Sequence, residues 1–503
     1  MNHILLFGAG KSATFLIDYL VAQVMLNPWK LTVVDNDQKL LNSKLKQSAK
    51  TRGIAINVIN PEERTPLIEE ADVVISLLPP FLHKLIAADC LRLGRHLLTA
   101  SYLDEHIKSM EQDIKDKGLT FICEMGLDPG IDHMSAMDLI NKIRNKGGEI
   151  TGFKSHCGGL VAPFSDDNPW RYKISWNPRN VVNAGKAGAD FILHGKPEHL
   201  PYEELFDPSR LLRIGKLDSL SWYPNRDSVA YANIYGLRNI DTFIRTTLRY
   251  PEFTYGWSNL IQLGLTREDV FYETDGMSLR KFFKEHLDAN NFAEWLNNTV
   301  TSRFEESREL LEKVSELLDA EQEAGKDIVE ALEEMMMIDH EGNLKTYTLD
   351  TIKREAAVTV ASRMHEANLA IKQLIFLGLA DDKTLINKGR CSAADILLFI
   401  IEKKLMLLPG EADMVVMLHE VDYLLEGRKF RASSSLIAIG DDHKHTAMAK
   451  TVGLPLGIAA VMLLEGKMNI PGLHIPIIPE IYEPVLKELE NFKIVFKEEQ
   501  IEI

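Results

Sequence analysis

Cysteine is scarce: Cys90, Cys123, Cys157 and Cys391 are the only four in 503 residues. None forms a C-x-x-C pair, which excludes a disulfide framework and a thioredoxin-type redox pair. The fifteen histidines form no H-E-x-x-H and no Cys/His cluster, so no metal site is expected. Positive charge is in deficit. A formal net charge of −16 argues against nucleic acid or an anionic membrane as partner, so an acidic substrate would need a local cationic pocket. Long apolar runs are also missing, and none approaches the roughly 18 residues of a membrane span. The N-terminus enters an apolar segment with no basic leader or small-residue cleavage site. The expected location is the cytoplasm. Internal repeats and low-complexity segments are absent.

What is present begins with length. Single cores rarely grow past about 250–300 residues, so a chain of 503 divides into two or three domains. The first 35 residues organise the rest. Ile4–Phe7 is an apolar run, Gly8-Ala9-Gly10-Lys11-Ser12-Ala13 follows, a helix pattern carries Leu16, Ile17, Leu20 and Val24, and Leu31–Val34 ends on Asp35. Strand, G-x-G-x-x-A turn, helix, strand and terminal acid form the dinucleotide-binding fingerprint. Gly8 allows the tight turn, Gly10 lets the pyrophosphate approach the backbone, and Ala13 permits close helix–strand packing. Asp35 is placed to accept hydrogen bonds from a ribose. Its charge would repel a 2′-phosphate, so the expected cofactor is NAD, with NADP as the alternative.

The alternation continues. Strands are expected at 54–58, 71–80, 96–102 and 119–123, with helices over 38–52, 81–94 and 104–117. Six strands with helical crossovers make a doubly wound parallel α/β sheet, whose ligands bind off the carboxyl ends of the strands. The loops Leu77–Pro80, Ala100–Tyr102 and Glu124–His133 lie there. The last of these, with its Asp-Pro-Gly before a helix, is equally explained by capping and turn chemistry.

After about residue 150 the character changes. Ser155–Leu160 and Asp166–Pro169 look loop-rich. Trp170–Trp176 mixes aromatics with Arg171 and Lys173, which fits a substrate pocket or a solvated strand edge. Ser221–Ser228 and Thr246–Tyr250 fit surface loops as well as a site. Residues 255–400 look mostly helical. The acidic stretch 301–337 carries an apolar stripe (Leu310, Leu311, Val314, Leu317, Leu318), with Met335–Met337 as core packing at the helix end. Strands return at 413–421 and 431–439, followed by a long helix over 443–464 and a short closing segment.

Nine stretches in order along the chain carry a resemblance. They are VVISLLP (73–79), TASY (99–102), GLDPGIDHM (126–134), CGGL (157–160), DNPWRYKISW (167–176), YPNRDS (223–228), TLRY (247–250), DMVVM (413–417) and AMAKTVGLP (447–455). The set resembles the glutamate-forming saccharopine dehydrogenases. That resemblance implies NAD(P)-dependent oxidation of saccharopine to an imine, hydrolysed to L-glutamate and α-aminoadipate semialdehyde, reversibly, within lysine metabolism. It implies a Rossmann domain (1–128, completed by about 440–465), a mixed-sheet α/β substrate and dimerisation domain (129–254 and 405–503), a helical insertion (255–404) and a homodimer. Implied at the cofactor are Gly8, Gly10, Lys11, Ser12, Asp35, Ala100, Ser101, Leu127, Asp128 and Ser175. Implied at the substrate are Ser101, Tyr102, Asp128, Arg226, Thr247, Leu248 and Arg249.

The residue types suit that chemistry. Saccharopine has three carboxylates, and Arg226 and Arg249 can each grip one through two parallel N–H donors. Asp128 is the candidate acid/base, with Tyr102 or Cys157 behind it. Two rivals stay open: a carboxynorspermidine dehydrogenase-like condensation of an amine with an aldehyde, and a non-catalytic cofactor-sensing protein on the same fold.

Overall fold

The computed structural model describes residues 2–301, 335–338, 344–347 and 368–503. It divides into two units. One comprises residues 1–167, 171–254 and 405–503, the other 168–170 and 255–404.

The first unit opens with the expected parallel sheet. β1 (His3–Phe7), β2 (Lys30–Asp35), β3 (Thr51–Ala55), β4 (Val73–Ser76), β5 (His96–Thr99) and β6 (Thr120–Ile122) lie in the order 6-5-4-1-2-3, all parallel. β1 and β4 are buried along their whole length because helices cover both faces, which is why they read as unbroken apolar runs. A seventh strand, Gly472–His474, joins β6 in parallel. Sequence reading left this region as a closing segment. It is instead this strand, a helix Pro479–Glu490 and a strand Lys497–Glu502.

Several other boundaries move for local reasons. β3 runs from Thr51 and ends at Ala55 rather than 58, because Asn57 and Asn60 turn the chain into the next helix through their side-chain carbonyls. The helix expected over 38–52 stops at Lys44, and that over 104–117 splits into Glu105–Lys108 and Glu111–Asp116. Ser155–Leu160 is no loop but part of a thirteen-residue strand, Glu149–Val161.

That strand is central to a second, mixed sheet. Leu220–Pro224, Thr242–Arg249, Glu149–Val161, Asp413–Leu425 and Arg428–Ile439 follow one another, with Thr242–Arg249 parallel to Glu149–Val161 and the other pairings antiparallel. The helix Ile131–Asn145, entered straight from the loop after β6, has Met134, Leu139 and Ile140 in the core shared with Phe153, Phe243, Met417 and Val421. Each such fully buried side chain contributes about 1.5–3 kcal/mol.

The helix Ala447–Leu464 corrects the expectation that no segment approaches membrane-spanning length. Its 18 residues are long and apolar enough by length and composition, yet 67% of the window is buried inside the protein. Gly453 and Gly457 bring it against Leu16 and Tyr19 of the helix Thr14–Leu26, where added Cβ atoms would come within 3.0 and 2.7 Å.

In the second unit, Phe271–Glu273 pairs with Arg390–Ser392. Met335–Ile338 is a strand paired with Leu344–Tyr347, not the end of a helix. Leu310, Leu311, Val314, Leu317 and Leu318 lie outside the described residues.

Candidate active site

The glycine turn is closed by β4. Gly8 has φ +100°, and a Cβ there would lie 2.8 Å from the Leu77 carbonyl oxygen. Gly10 is open: nothing lies within 4 Å of the corresponding position. No side-chain hydrogen bond caps the turn Lys11–Ala13 or the start of the helix Thr14–Leu26, a helix start of the kind that receives anions. Asp35 accepts from the N–H groups of Ala9 (2.7 Å) and Asp37 (3.1 Å), which ties the end of β2 to the turn. An uncluttered turn, an uncapped helix start and a fixed carboxylate fit a dinucleotide.

Farther along the strand ends lies a cavity of about 420 Å³. Of the expected residues it brings together Ala100, Tyr102, Leu127, Asp128, Arg226, Thr247 and Arg249, with Cys157 and Gly159 from the mixed sheet and Met448 and Val452 from the helix Ala447–Leu464. Gly8, Gly10, Lys11, Ser12 and Asp35 stay at the β1 turn and are not in its wall. Ser101, Ser175 and Leu248 are also outside it. The Ser101 hydroxyl is 2.8 Å from His83 Nε2, and His83 Nδ1 is 2.9 Å from Ser76 Oγ. Burial pushes His83 down to about 4, so it is neutral near pH 7. Ser175 is buried against Asp413, whose carboxylate caps the helix Ala447–Leu464. The Leu248 side chain packs with Met414 and Val416 on the far face of the sheet.

The cations differ sharply in their partners. Arg171 pairs with Asp166, Asp218 and Glu252, and Lys173 with Asp167 and Glu411, so the cations of the 170–176 stretch are held internally. Arg249 is 4% exposed and has no carboxylate partner among the described residues. Its Nη1 donates to the Leu248 carbonyl (2.7 Å), its Nε is buried without a hydrogen-bond partner, and its guanidinium lies over Tyr172. Arg226 is exposed at the mouth, in the left-handed region (φ +52°), over the Tyr102 ring at 4.9 Å, and it too lacks a carboxylate.

Asp128 faces the cavity with its side chain 14% exposed. Its Oδ1 accepts from Arg245 Nη2 at 2.7 Å, and the same nitrogen donates to Asp132 Oδ2 at 2.8 Å. Burial, then the neighbouring Asp132 charge, pushes Asp128 up to about 6. Burial acts the same way on Asp132, but His133, Arg245 and the Gly130 N–H outweigh it and hold that carboxyl below its usual range. Behind them His133 Nε2 is 2.8 Å from Glu124 Oε2, which also accepts from Tyr231 OH (2.8 Å). Burial raises the Cys157 thiol well above its usual value, so it stays protonated. Tyr102 OH is 3.5 Å from Asp128 Oδ1. Sequence reasoning missed Arg245, Asp132, His133, Glu124 and Tyr231. Strand periodicity was the available signal for Arg245, because residues 245, 247 and 249 share one face.

Comparison with known proteins places this geometry. Residues 4–122 match the model of the saccharopine dehydrogenase NADP binding domain, and 126–494 that of the saccharopine dehydrogenase C-terminal domain. The chain is 28% identical over 503 residues to the Saccharomyces cerevisiae saccharopine dehydrogenase [NADP(+), L-glutamate-forming], covering 99% of each. It is 32% identical over 500 residues to the Bos taurus mitochondrial alpha-aminoadipic semialdehyde synthase, covering 98% of this chain and 47% of that protein. The Arabidopsis thaliana alpha-aminoadipic semialdehyde synthase is 30% identical over 516 residues, with 44% of it covered. The chain thus spans about half the length of these two relatives. The apo S. cerevisiae saccharopine dehydrogenase (L-Glu forming) superposes with a TM-score of 0.77 at 26% identity over 100% of both chains. The chain belongs to the saccharopine dehydrogenase family.

Proposed function

We propose that the chain is an NAD(P)-dependent oxidoreductase acting on the CH–NH bond of saccharopine. It releases L-glutamate and α-aminoadipate semialdehyde and, in reverse, condenses the two reductively. One observation carries this reading. In a chain of net charge −16, a cavity at the strand ends holds two arginines, Arg249 and Arg226, without carboxylate partners among the described residues. A buried guanidinium without an anion is costly, so the site is built for a substrate that supplies one.

A nicotinamide dinucleotide, when bound at the Gly8 turn, supplies the hydride acceptor. The chain does the rest. Arg249 holds one substrate carboxylate in the depth of the cavity and Arg226 a second at its mouth. Ala100, Leu127, Met448 and Val452 line the cavity and limit the access of bulk water. Asp128 takes the proton from the secondary amine and passes it to solvent once the hydride has left. It then takes one from the water that attacks the imine carbon and gives it to the departing glutamate nitrogen. The condensation runs the same transfers in reverse. Tyr102 and Cys157 remain neutral neighbours.

For the cofactor, the family model and the yeast relative carry NADP in their names. We keep NAD ahead for this chain, because the Asp35 carboxylate beside the turn repels a 2′-phosphate. Residues 1–128 with about 440–465 hold the dinucleotide, 129–254 and 405–503 hold the substrate, and 255–404 form an insertion. A homodimer through the second face of the mixed sheet fits the exposure of Ile437 (41%) and Ile439 (47%) there, and sedimentation would test it. Four free cysteines suit a reducing compartment such as the cytoplasm.

The deciding experiment follows absorbance of the reduced nicotinamide with purified protein and saccharopine, with NAD and NADP in parallel. A rise with either establishes the reaction, and the ratio of rates tests Asp35. No rise, with no consumption of reduced cofactor by glutamate plus the semialdehyde, overturns the proposal.

A further inference from the structure

Asp128 is not alone in its corner of the cavity. The groups facing it are Asp132 and His133 from the helix Ile131–Asn145, Arg245 from the strand Thr242–Arg249, Arg226 from the turn after Leu220–Pro224, Tyr102 after β5, and Cys157 on the strand Glu149–Val161. Arg245 is decisive because one of its nitrogens, Nη2, serves both carboxylates, giving one hydrogen to Asp128 Oδ1 and the other to Asp132 Oδ2. Two carboxylates therefore share one guanidinium.

The two do not share it equally. Asp132 is 1% exposed, and its Oδ1 also accepts from the Gly130 N–H at 2.6 Å. It has three fixed partners once His133 Nδ1, 3.7 Å from its Oδ2, is included. Asp128 has the shared Arg245 bond and a long contact from Tyr102, and its Oδ2 makes no hydrogen bond among the described residues. The surplus negative charge therefore falls on Asp128, the one carboxylate of the pair that opens on the cavity. Arg245 is itself held in place. Its guanidinium lies over the Tyr231 ring at 4.3 Å, its backbone N–H donates to Ser228 Oγ at 3.0 Å, and Tyr231 OH donates to Glu124.

We infer that Arg245 and Asp132 are positioning residues for Asp128: Arg245 pins Oδ1 and leaves Oδ2 toward the substrate, while Asp132 draws on the same guanidinium and so raises the proton affinity of Asp128. The inference rests on the reading of Asp128 as the proton acceptor. It assigns opposite signs to two neighbours in one cluster. Removing the Asp132 charge leaves Arg245 to Asp128 alone and makes Asp128 a weaker base. Removing Arg245 leaves two carboxylates facing each other and makes it a stronger one.

The test titrates the Asp128 carboxyl directly in the full chain, by infrared difference spectroscopy against the Asp128→Asn protein, so that no turnover is needed. Asp132→Asn should move the midpoint down by about one pH unit or more, and Arg245→Met should move it up by a similar amount. Arg245→Lys, which keeps the charge but loses the fork, should leave the midpoint near that of the unaltered protein while kcat falls. If Arg245→Met does not fold, Asp132→Asn against Arg245→Lys decides the matter. Midpoints that stay in place, or that move in the same direction in both charge-removing variants, overturn the inference. Opposite shifts in a protein that fails to turn over saccharopine would uphold this charge sharing and remove the substrate reading instead.

Discussion

Two arginines stand four residues apart on one face of the strand Thr242–Arg249, about 13 Å from each other at the rise of a strand. Both are almost fully buried, at 2% and 4% exposure. Arg245 has two carboxylates on a single nitrogen, and Arg249 has none among the described residues. The same residue type on the same strand face therefore has two roles. Arg245 is paired within the protein, where it offsets part of the charge of Asp128 and Asp132 without any ligand. Arg249 is left without a carboxylate among the described residues, and in the proposed function a substrate carboxylate fills that place. Burial alone does not distinguish a structural cation from a binding one, but its partners do.

Stability is where this contrast is largest. Replacing Arg245 by Met strands two buried carboxylates, and unfolding in urea should show a loss of about 3–5 kcal/mol. Arg249→Met removes a buried cation with no ion pair, so the same measurement should show little loss or a gain. Equal losses would erase the distinction between the two arginines.

Substrate binding should reverse the order of importance. Arg249→Ala is expected to raise the KM for saccharopine about 100-fold or more, the loss of a buried charge-assisted pair of roughly 3 kcal/mol. Fluorescence titration should show the affinity for the reduced dinucleotide unchanged. Parallel losses of cofactor and substrate affinity would instead mean a collapsed site. Arg226→Ala, at the exposed mouth, should raise KM only about tenfold, because water screens its carboxylate contact.

The smallest effect is a pH dependence. Asp128 is pushed up to about 6 by burial and by Asp132, and in the proposed mechanism its ionised form is the proton acceptor. As pH falls through that value the carboxylate is protonated, so kcat/KM for saccharopine oxidation should drop about tenfold per unit below it. The condensation direction uses the protonated form and should decline as pH rises through the same value. An acid limb that persists unchanged in Asp128→Asn would assign the titration to another group.

Legibility in the sequence varied with how local each feature is. β1, β2 and the glycine turn were readable because their signals are set within a few residues: an apolar run, a glycine at positive φ, and an acid after the next strand. The strand Glu149–Val161 was hidden. Its Gly158 and Gly159 suggest a loop, whereas they sit where Cβ atoms would collide with Leu248 and Met448. Leu248 was grouped with its neighbours, yet strand alternation turns its side chain to the opposite face from Thr247 and Arg249. Arg171 and Lys173 fit a pocket or a solvated strand edge equally well by sequence and are tied up by acids, three of them, Asp218, Glu252 and Glu411, far away in the chain.

The sequence by itself determined the parallel sheet, the dinucleotide turn and the family, since each depends on local periodicity or on ordered short stretches. Only the tertiary structure decided which charges are neutralised. Asp128, Asp132 and Arg245 are separated by up to 117 positions, and Coulomb energy depends on separation in space and not on separation along the chain. The division between the arginine that holds the protein together and the arginine that awaits a ligand exists only once the strand Thr242–Arg249 is laid against the loop after β6.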